Sequence, residues 1–369
     1  MAYATVHRGD YVKVAVYAIS KNEEKFVERW VKSMSEADEI YVADTGSTDN
    51  TVELLKQKGV IVNSINIKPW RFDDARNKSL EFVNEDVDIC VCTDLDEVFT
   101  KGWRKELEEK WTNDTTNARY NYIWSFDESG KPQTSFYIEK IHSRHNFKWI
   151  YPVHEVLQYT GEQQQKYITL DNVTLKHYPD KKKSRGQYLP LLELSVKENP
   201  NDDRNMHYLG REYMFYKMYD KSIETLKKHL ALPNAKWKDE RCASMRYIAK
   251  CFVNKNEYDQ AEQWYETAIK EAPYLREPYI EYAQLEYELK NWNKVTELIE
   301  NALKITERPM TYISESYCWG CLPYDMLAIA YFNLNNYPLS LKNAVSAYLL
   351  EPENERLKDN MQKIKEFIN

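Results

Sequence analysis

The stretch "DICVCTDLDEVF" sets Asp94 and Asp96 two residues apart, at the end of an apolar run that reads as a buried β-strand. Carboxylates in such a place cost free energy unless something positive meets them. In a strand, residues i and i+2 project to the same side, so both carboxylates are expected to face one point. Mg2+ takes oxygen ligands and completes its shell with substrate phosphates. Mn2+ tolerates the same ligands. The plainer alternative is a solvated strand end, helped by Lys101 or Arg104. Asp44, which closes "EIYVAD", can accept a hydrogen bond from the N–H edge of a base such as uracil. Glu23, in the turn after the first strand, is placed for a ribose hydroxyl. Arg76, early in a helix, can meet a phosphate or neutralise the carboxylates. A helix cap or a surface ion pair is the competing role for each of these three.

The elements that must position these groups are legible by period. "YVKVAVYAI" (residues 11–19) is β-branched and apolar, and "NEEKFVERWVKSM" repeats Phe26, Val27, Trp30, Val31 and Met34 at helical spacing. "EIYVAD", "GSTDNTVELLKQKG", "VIVNSINI", "DDARNKSLEFV" and "VDICVCTDLD" continue strand, helix, strand, helix, strand. In the second helix Asn50 and Glu53 are spaced like a capping box, with Gly59 as the stop. This alternation predicts a parallel sheet covered on both faces, and ligands in such sheets bind beyond the carboxyl ends of the strands. Asp44, Asp94 and Asp96 all fall there. Residues 117–178 change to aromatic-rich pieces, read as a hairpin insertion with loops.

After about residue 187 the chain reads as helix throughout, with an internal repeat. Ile248, Ala249, Phe252, Ala261, Tyr265, Ala268 and Pro273 fall at the spacing of a tetratricopeptide repeat (TPR). The template recurs at Tyr282, Ala283 and Ala302, again at Leu327, Ala328, Tyr331, Ala344, Ala347 and Pro352, and loosely at Leu209, Gly210, Tyr213 and Leu226. An all-α solenoid over 187–369 is therefore expected behind an α/β domain over 1–186, with a concave groove offered to a partner.

The chain has 369 residues, enough for two domains, and its net charge of −7 argues against a broad nucleic-acid-binding surface. No apolar run is long enough to cross a bilayer, and the N-terminus lacks the core of a signal peptide. Six scattered cysteines do not read as a disulfide framework, which fits a reducing cytoplasm. "CWGC" (Cys318, Cys321) has no second pair near it and is read as structural.

"AISKNEE", "VADTGSTDNT", "DDARN" and "CTDLDEVF", in this order, resemble the successive signatures of family-2 glycosyltransferases of the GT-A fold, a Rossmann-like fold for nucleotide-diphospho-sugars. The likeness covers roughly the first 180 residues. The whole chain resembles bacterial and phage enzymes of that family with a TPR tail, a layout shared by bacteriocin-modifying S-glycosyltransferases. The resemblance implies inverting transfer from a nucleotide-diphospho-sugar, usually UDP-linked, with Mn2+ or Mg2+. It puts Glu23 and Asp44 on the nucleoside, and Asp94 and Asp96 on the metal and donor. "WIYPVHEVL" then supplies the base. Glu155 is the first choice because relatives use a carboxylate there, and His154, with an ordinary pKa near 6.5, is the competitor. "TLKHYP" offers His177, which is similar to a late histidine that GT-A enzymes use as a metal ligand. The basic run "DKKKSRGQ" reads equally as a lid placing Lys182 or Arg185 over the diphosphate and as a solvated linker.

The expected function is sugar transfer to a protein or peptide, with the repeats gripping the acceptor or joining two copies in a homodimer. The alternatives are a binding scaffold with an inactive sugar-nucleotide domain, and transfer to a saccharide or to DNA. A dinucleotide oxidoreductase fails, since "AISKNEE" has no glycine for a Gly-x-Gly-x-x-Gly turn.

Overall fold

The computed structural model describes residues 12–180 and 186–368, in two compact units that divide after Ser195. Lys182 and Arg185 lie outside the described residues.

The first unit runs β1 (Val14–Ser20), α1 (Glu24–Met34), β2 (Glu39–Asp44), α2 (Thr51–Gln57), β3 (Ile61–Ser64), α3 (Phe72–Glu81) and β4 (Ile89–Cys92). It continues with β5 (Glu97–Phe99), α4 (Trp103–Lys110), β6 (Asn117–Phe126), β7 (Pro132–Ser143), β8 (Phe147–Ile150), β9 (Val156–Tyr159) and β10 (Tyr167–His177), and enters α5 (Tyr188–Glu198). Eight strands form one sheet in the order β3-β2-β1-β4-β7-β6-β10-β5, and β8 and β9 make a separate hairpin. The first four strands are parallel, as the strand–helix alternation predicts. The aromatic segment is no appendage: β7 pairs antiparallel with β4, and β6 and β10 extend the sheet from it.

Burial follows the strand period on both faces. Val14, Val16 and Ala18 pack with Phe26, Val27, Trp30 and Met34 of α1. Ala15, Tyr17, Cys90 and Cys92 face Leu80, Val83 and Trp149 on the other side. Two local expectations change. Asn50 makes no side-chain cap; Asp49 accepts from the Thr51 amide at 3.0 Å, and Glu53 accepts from Gln57. The fourth strand stops at Cys92, so Asp94 and Asp96 stand in a turn and not on a strand.

That turn constrains the sheet. Five strands from β4 to β5 would span about 19 Å side by side in a flat sheet. The chain between Cys92 and Glu97 reaches at most about 18 Å when fully extended, and the Glu97 amide bonds back to the Asp94 carbonyl at 3.0 Å. The sheet must therefore curl, bringing its β5 edge round to the end of β4.

The second unit contains α6 (Asp203–Phe215), α7 (Tyr219–Ala231), α8 (Lys238–Asn254), α9 (Tyr258–Glu271), α10 (Glu277–Glu288), α11 (Trp292–Leu303), α12 (Leu322–Asn333), α13 (Tyr337–Leu350) and α14 (Glu355–Ile368). Four helix pairs share one register. Gly210, Ala249, Ala283 and Ala328 sit in the first helices; seven residues after each, Lys217, Asn256, Lys290 and Asn335 turn to φ of 59–61°. Each turn closes with the same bond from the following amide to the carbonyl five residues back, as from Met218 to Tyr213 at 2.8 Å. The small residues are needed because the helices touch. A Cβ on Gly210 would lie 2.5 Å from the Leu226 side chain. This unit is a TPR-like helical repeat.

Candidate active site

The signatures noted in the sequence meet at the carboxyl ends of β1, β2 and β4. The loop after β1 and the loop after β2 hold one another: Asn22 Oδ1 accepts from the Thr48 amide at 2.7 Å, and Ser47 Oγ accepts from the Asn22 amide at 2.9 Å. Glu23 stands at the start of α1, its amide donating to Thr51 Oγ1 at 2.7 Å. Asp44 is buried and accepts from Ser20 Oγ (3.0 Å), the Gly46 and Ser47 amides (3.0 and 2.9 Å) and Ser47 Oγ (2.5 Å). A carboxylate offers about four acceptor sites, and this turn fills them. The geometry thus gives Asp44 to shaping the turn, which differs from the expected contact with a base.

The positive partners of the acidic turn are Arg76 and Lys140. Arg76, buried on α3, donates Nη2 to both Asp94 oxygens at 2.9 and 3.1 Å and Nε to Glu155 at 2.5 Å. Lys140 on β7 lies 3.1 Å from Glu97 and 3.5 Å from Asp94. Glu97 also accepts from Tyr122 Oη at 2.7 Å and from the Asp94 amide at 2.9 Å. Three carboxylates thus meet two cations, with Arg76 and Glu97 buried and Asp94 half-buried at the rim. Burial pushes the Asp94 carboxyl up, but Arg76 and Lys140 outweigh it and hold it well below the usual range. Burial works against the charges of Arg76 and Lys140, and the carboxylates outweigh it, so both stay protonated.

Asp96 takes another direction. Its Oδ2 lies 3.3 Å from His177 Nε2 on β10, while His177 Nδ1 faces the Trp124 carbonyl at 3.0 Å and the imidazole stacks on the Trp124 ring at 4.5 Å. Burial lowers the His177 pKa, and the bond to Asp96 outweighs it and raises it. Asp94 and Asp96 therefore do not converge: one meets Arg76 and Lys140, the other His177.

Glu155 comes from the loop between β8 and β9, in which Tyr151 and His154 adopt φ of 80° and 52°. Such conformations in non-glycine residues cost about 1–3 kcal/mol each and persist where surroundings impose them. Here Asn77 on α3 clamps both backbone groups of Trp149, at 2.8 and 2.9 Å. Trp149 Nε1 donates to Tyr17 Oη at 2.7 Å, and Tyr17 Oη lies 2.9 Å from His142 Nε2. The His142 Nδ1 faces the Ser143 carbonyl at 2.8 Å. The loop thus brings Glu155 into the Arg76 network, whereas the His154 ring lies parallel to Tyr188.

This chain of bonds yields a pH prediction. Burial drives His142 down to about 4, so the fold keeps it neutral. The unfolded chain takes up a proton below about 6.5, so stability falls as pH drops from about 6.5 to 4, by roughly 1.4 kcal/mol per unit. Urea unfolding of wild type and His142→Asn should show the wild-type advantage shrinking between pH 7 and pH 5. An advantage independent of pH would mean His142 is not held neutral.

Residues 16–161 match the glycosyl transferase family 2. They form a glycosyltransferase family 2 domain. The matched stretch holds Glu23, Asp44, Arg76, Asp94, Asp96, Glu97, Lys140 and Glu155; His177 lies beyond it. No curated protein matches the chain. Similar solved structures include the C-terminal part of a TPR repeat-containing protein from Cytophaga hutchinsonii, 16% identical over 48% of this chain and 64% of that one, with a TM-score of 0.40. Yeast Tom70 is 15% identical over 50% of this chain and 37% of its own, at 0.39. MamA is 18% identical over 48% of this chain and 99% of its own, at 0.38. The chain spans less than two thirds of the first two.

In the glycosyltransferase domain, the residues present fit a divalent ion through Asp96 and His177. A histidine that donates Nδ1–H to a carbonyl presents Nε2 as a lone pair, the arrangement that orients a metal-bound imidazole. With Nε2 aimed at a carboxylate oxygen, either a proton or a cation must lie between the two. The expected set of Asp94, Asp96 and His177 does not form one cage, because Asp94 is engaged by Arg76. Among the described residues no three His, Cys, Asp or Glu side chains gather as a metal centre. Lys140 and Glu97 were missed from sequence: Glu97 sits in the quoted motif, but reading the strand through to Asp96 hid its return into β5. No helix among the described residues is long and apolar enough to cross a membrane.

Proposed function

We propose that the glycosyltransferase domain transfers a hexose, with inversion, from a UDP-sugar to a protein or peptide acceptor. The reading rests on Arg76, which joins the Asp94 turn to Glu155 at the strand ends where Glu23 and Asp44 also stand. Glu155 takes the proton of the acceptor hydroxyl or thiol as its oxygen or sulfur attacks the anomeric carbon, and the sugar–diphosphate bond breaks with its electron pair leaving on the diphosphate. Arg76 fixes the Glu155 carboxylate for that transfer, and Lys140 and Glu97 keep the Asp94 turn in place. Asp96 and His177 would hold Mn2+ or Mg2+, with imidazole favouring Mn2+; such an ion, when bound, stabilises the departing diphosphate as a Lewis acid. Glu23 remains the candidate for the ribose, and Lys182 and Arg185 for the diphosphate.

The test is a thermal-shift panel of nucleotide sugars with and without Mn2+, followed by UDP release. UDP-sugars should stabilise the protein only with the ion, and Asp96→Asn should weaken ion binding by about 10–100-fold. Glu155→Gln should keep donor binding and lose about 10²–10⁴-fold in transfer. A panel in which no nucleotide sugar shifts the transition would leave the helical repeat as the working part, the scaffold alternative.

A further inference from the structure

Strand β6 sends its aromatic rings into the core until near its end. Tyr120 and Tyr122 are 0% and 3% exposed, whereas Trp124, two residues on, is 46% exposed. The cause is a register shift against β7. Ile123 pairs with Ser135 and Ser125 with Thr134, which leaves Trp124 between them as the extra residue of a bulge. Bulges re-aim a side chain, and they gather beside active sites.

This bulge aims Trp124 at the pair Asp96 and His177. The indole stacks on the His177 imidazole, centroids 4.5 Å apart and planes 24° from parallel, and the Tyr122 ring stands beside it at 6.1 Å. His177 Nδ1 lies 3.0 Å from the Trp124 carbonyl, so the backbone and the ring of one residue both hold the imidazole whose Nε2 faces Asp96. With one indole face against the imidazole, the opposite face is the one left to a ligand.

The side of the site on which Trp124 stands decides which ligand group that is. The acidic turn divides two sets of partners: Asp94 turns to Arg76, which holds Glu155, and Asp96 turns to His177 and Trp124. Inverting displacement brings the acceptor in opposite the departing diphosphate. Glu155, as base, marks the acceptor's side; Asp96 and His177, which would hold the ion, mark the diphosphate's. Trp124 belongs with the second set, so the group it meets is the one bonded to the diphosphate, the donor's own hexose. A pyranose can lay a face of C–H bonds on an aromatic ring, and the contact takes apolar surface of both out of water.

We propose that Trp124 is the platform on which the donor hexose lies, and hence a specificity-determining residue of the transferase. The inference rests on the transfer reading above. It adds the residue by which the site tells a nucleotide-sugar from the bare nucleotide.

Calorimetric titration of the full chain with Mn2+ present gives the Kd of two probes. One is UDP; the other is whichever of UDP-glucose, UDP-galactose and UDP-N-acetylglucosamine wild type binds most tightly. Trp124→Leu should bind UDP within about twofold of wild type and the UDP-sugar about three- to tenfold more weakly, a change confined to the sugar. Trp124→Phe, which keeps a smaller ring, should fall between. The backbone carbonyl that meets His177 stays in both variants. If the indole only props His177, UDP and UDP-sugar weaken together and the ratio of their constants stays put, which overturns the proposal. An unchanged ratio with a raised KM for an acceptor overturns it too, because the ring then serves the acceptor. No UDP binding by folded wild type overturns the transfer reading, and the platform with it. Failure of both variants to fold also overturns the proposal, because the indole is then part of the core.

Discussion

Replacing Arg76 with methionine is expected to destabilise the first unit by about 3–5 kcal/mol, since it strips a buried charge from a network and leaves its partners behind. Asp94 and Glu155 would lose their shared cation, and Lys140 reaches only Asp94 and Glu97. Arg76→Lys should rescue little. One ammonium cannot reproduce the separate Nε and Nη2 donors by which the planar guanidinium holds Glu155 and Asp94 at once. Urea midpoints measure the loss. The discriminating control is the triple variant with Asp94→Asn and Glu155→Gln, which should recover part of it because the orphaned charges go too. A single-variant loss under 1 kcal/mol would mean the network is solvated and Arg76 does not organise the site. Sugar transfer should vanish in Arg76→Met, since the Glu155 loop loses its fixing contact.

The second large effect is expected in the helical repeat. Arg246 and Glu281 are each about 1% exposed and paired through two bonds, with Lys250 2.8 Å from the same carboxylate. Burial raises the Glu281 carboxyl, and Arg246 and Lys250 outweigh it, holding it at about 2. A depressed acid contributes stability that is full above its unfolded value near 4.5 and lost as pH falls toward 2. Arg246→Met removes the larger opposing charge, so the unit should lose about 3 kcal/mol at pH 7. The deficit should narrow below pH 4.5, where Glu281 in the variant can take a proton. Denaturation curves at pH 7 and pH 4 check both statements, and a deficit that widens in acid would contradict the assignment.

What the sequence disclosed about fold and site follows the range of the interactions. β1 through β4 were readable because each strand and its helix carry their own period within about 30 residues. The TPR-like pairs were readable for the same reason, since Ala249 and Ala283 repeat a local template. Lys140 was not readable: it meets Asp94 only because β7 inserts beside β4, a pairing between residues some 50 positions apart. The separation of Asp94 from Asp96 was hidden by the apolar run before them, which carries no mark of where pairing stops. His177 was proposed by resemblance, and its neighbour Trp124, whose carbonyl orients it, has no sequence signal at all. The hydrogen bonds that Tyr312 and Tyr317, between α11 and α12, give to Glu240 and Glu281 of the earlier helices were equally silent, because the partners lie 72 and 36 residues away.

The short link from Cys92 to Glu97 makes β4, β7, β6, β10 and β5 a covalently closed hoop, with four residues as its clasp. A hoop transmits what an open sheet would absorb at a free edge. Lengthening the clasp by one residue would let the rim at β5 slide along β10, carrying Asp96 away from His177 without touching either side chain.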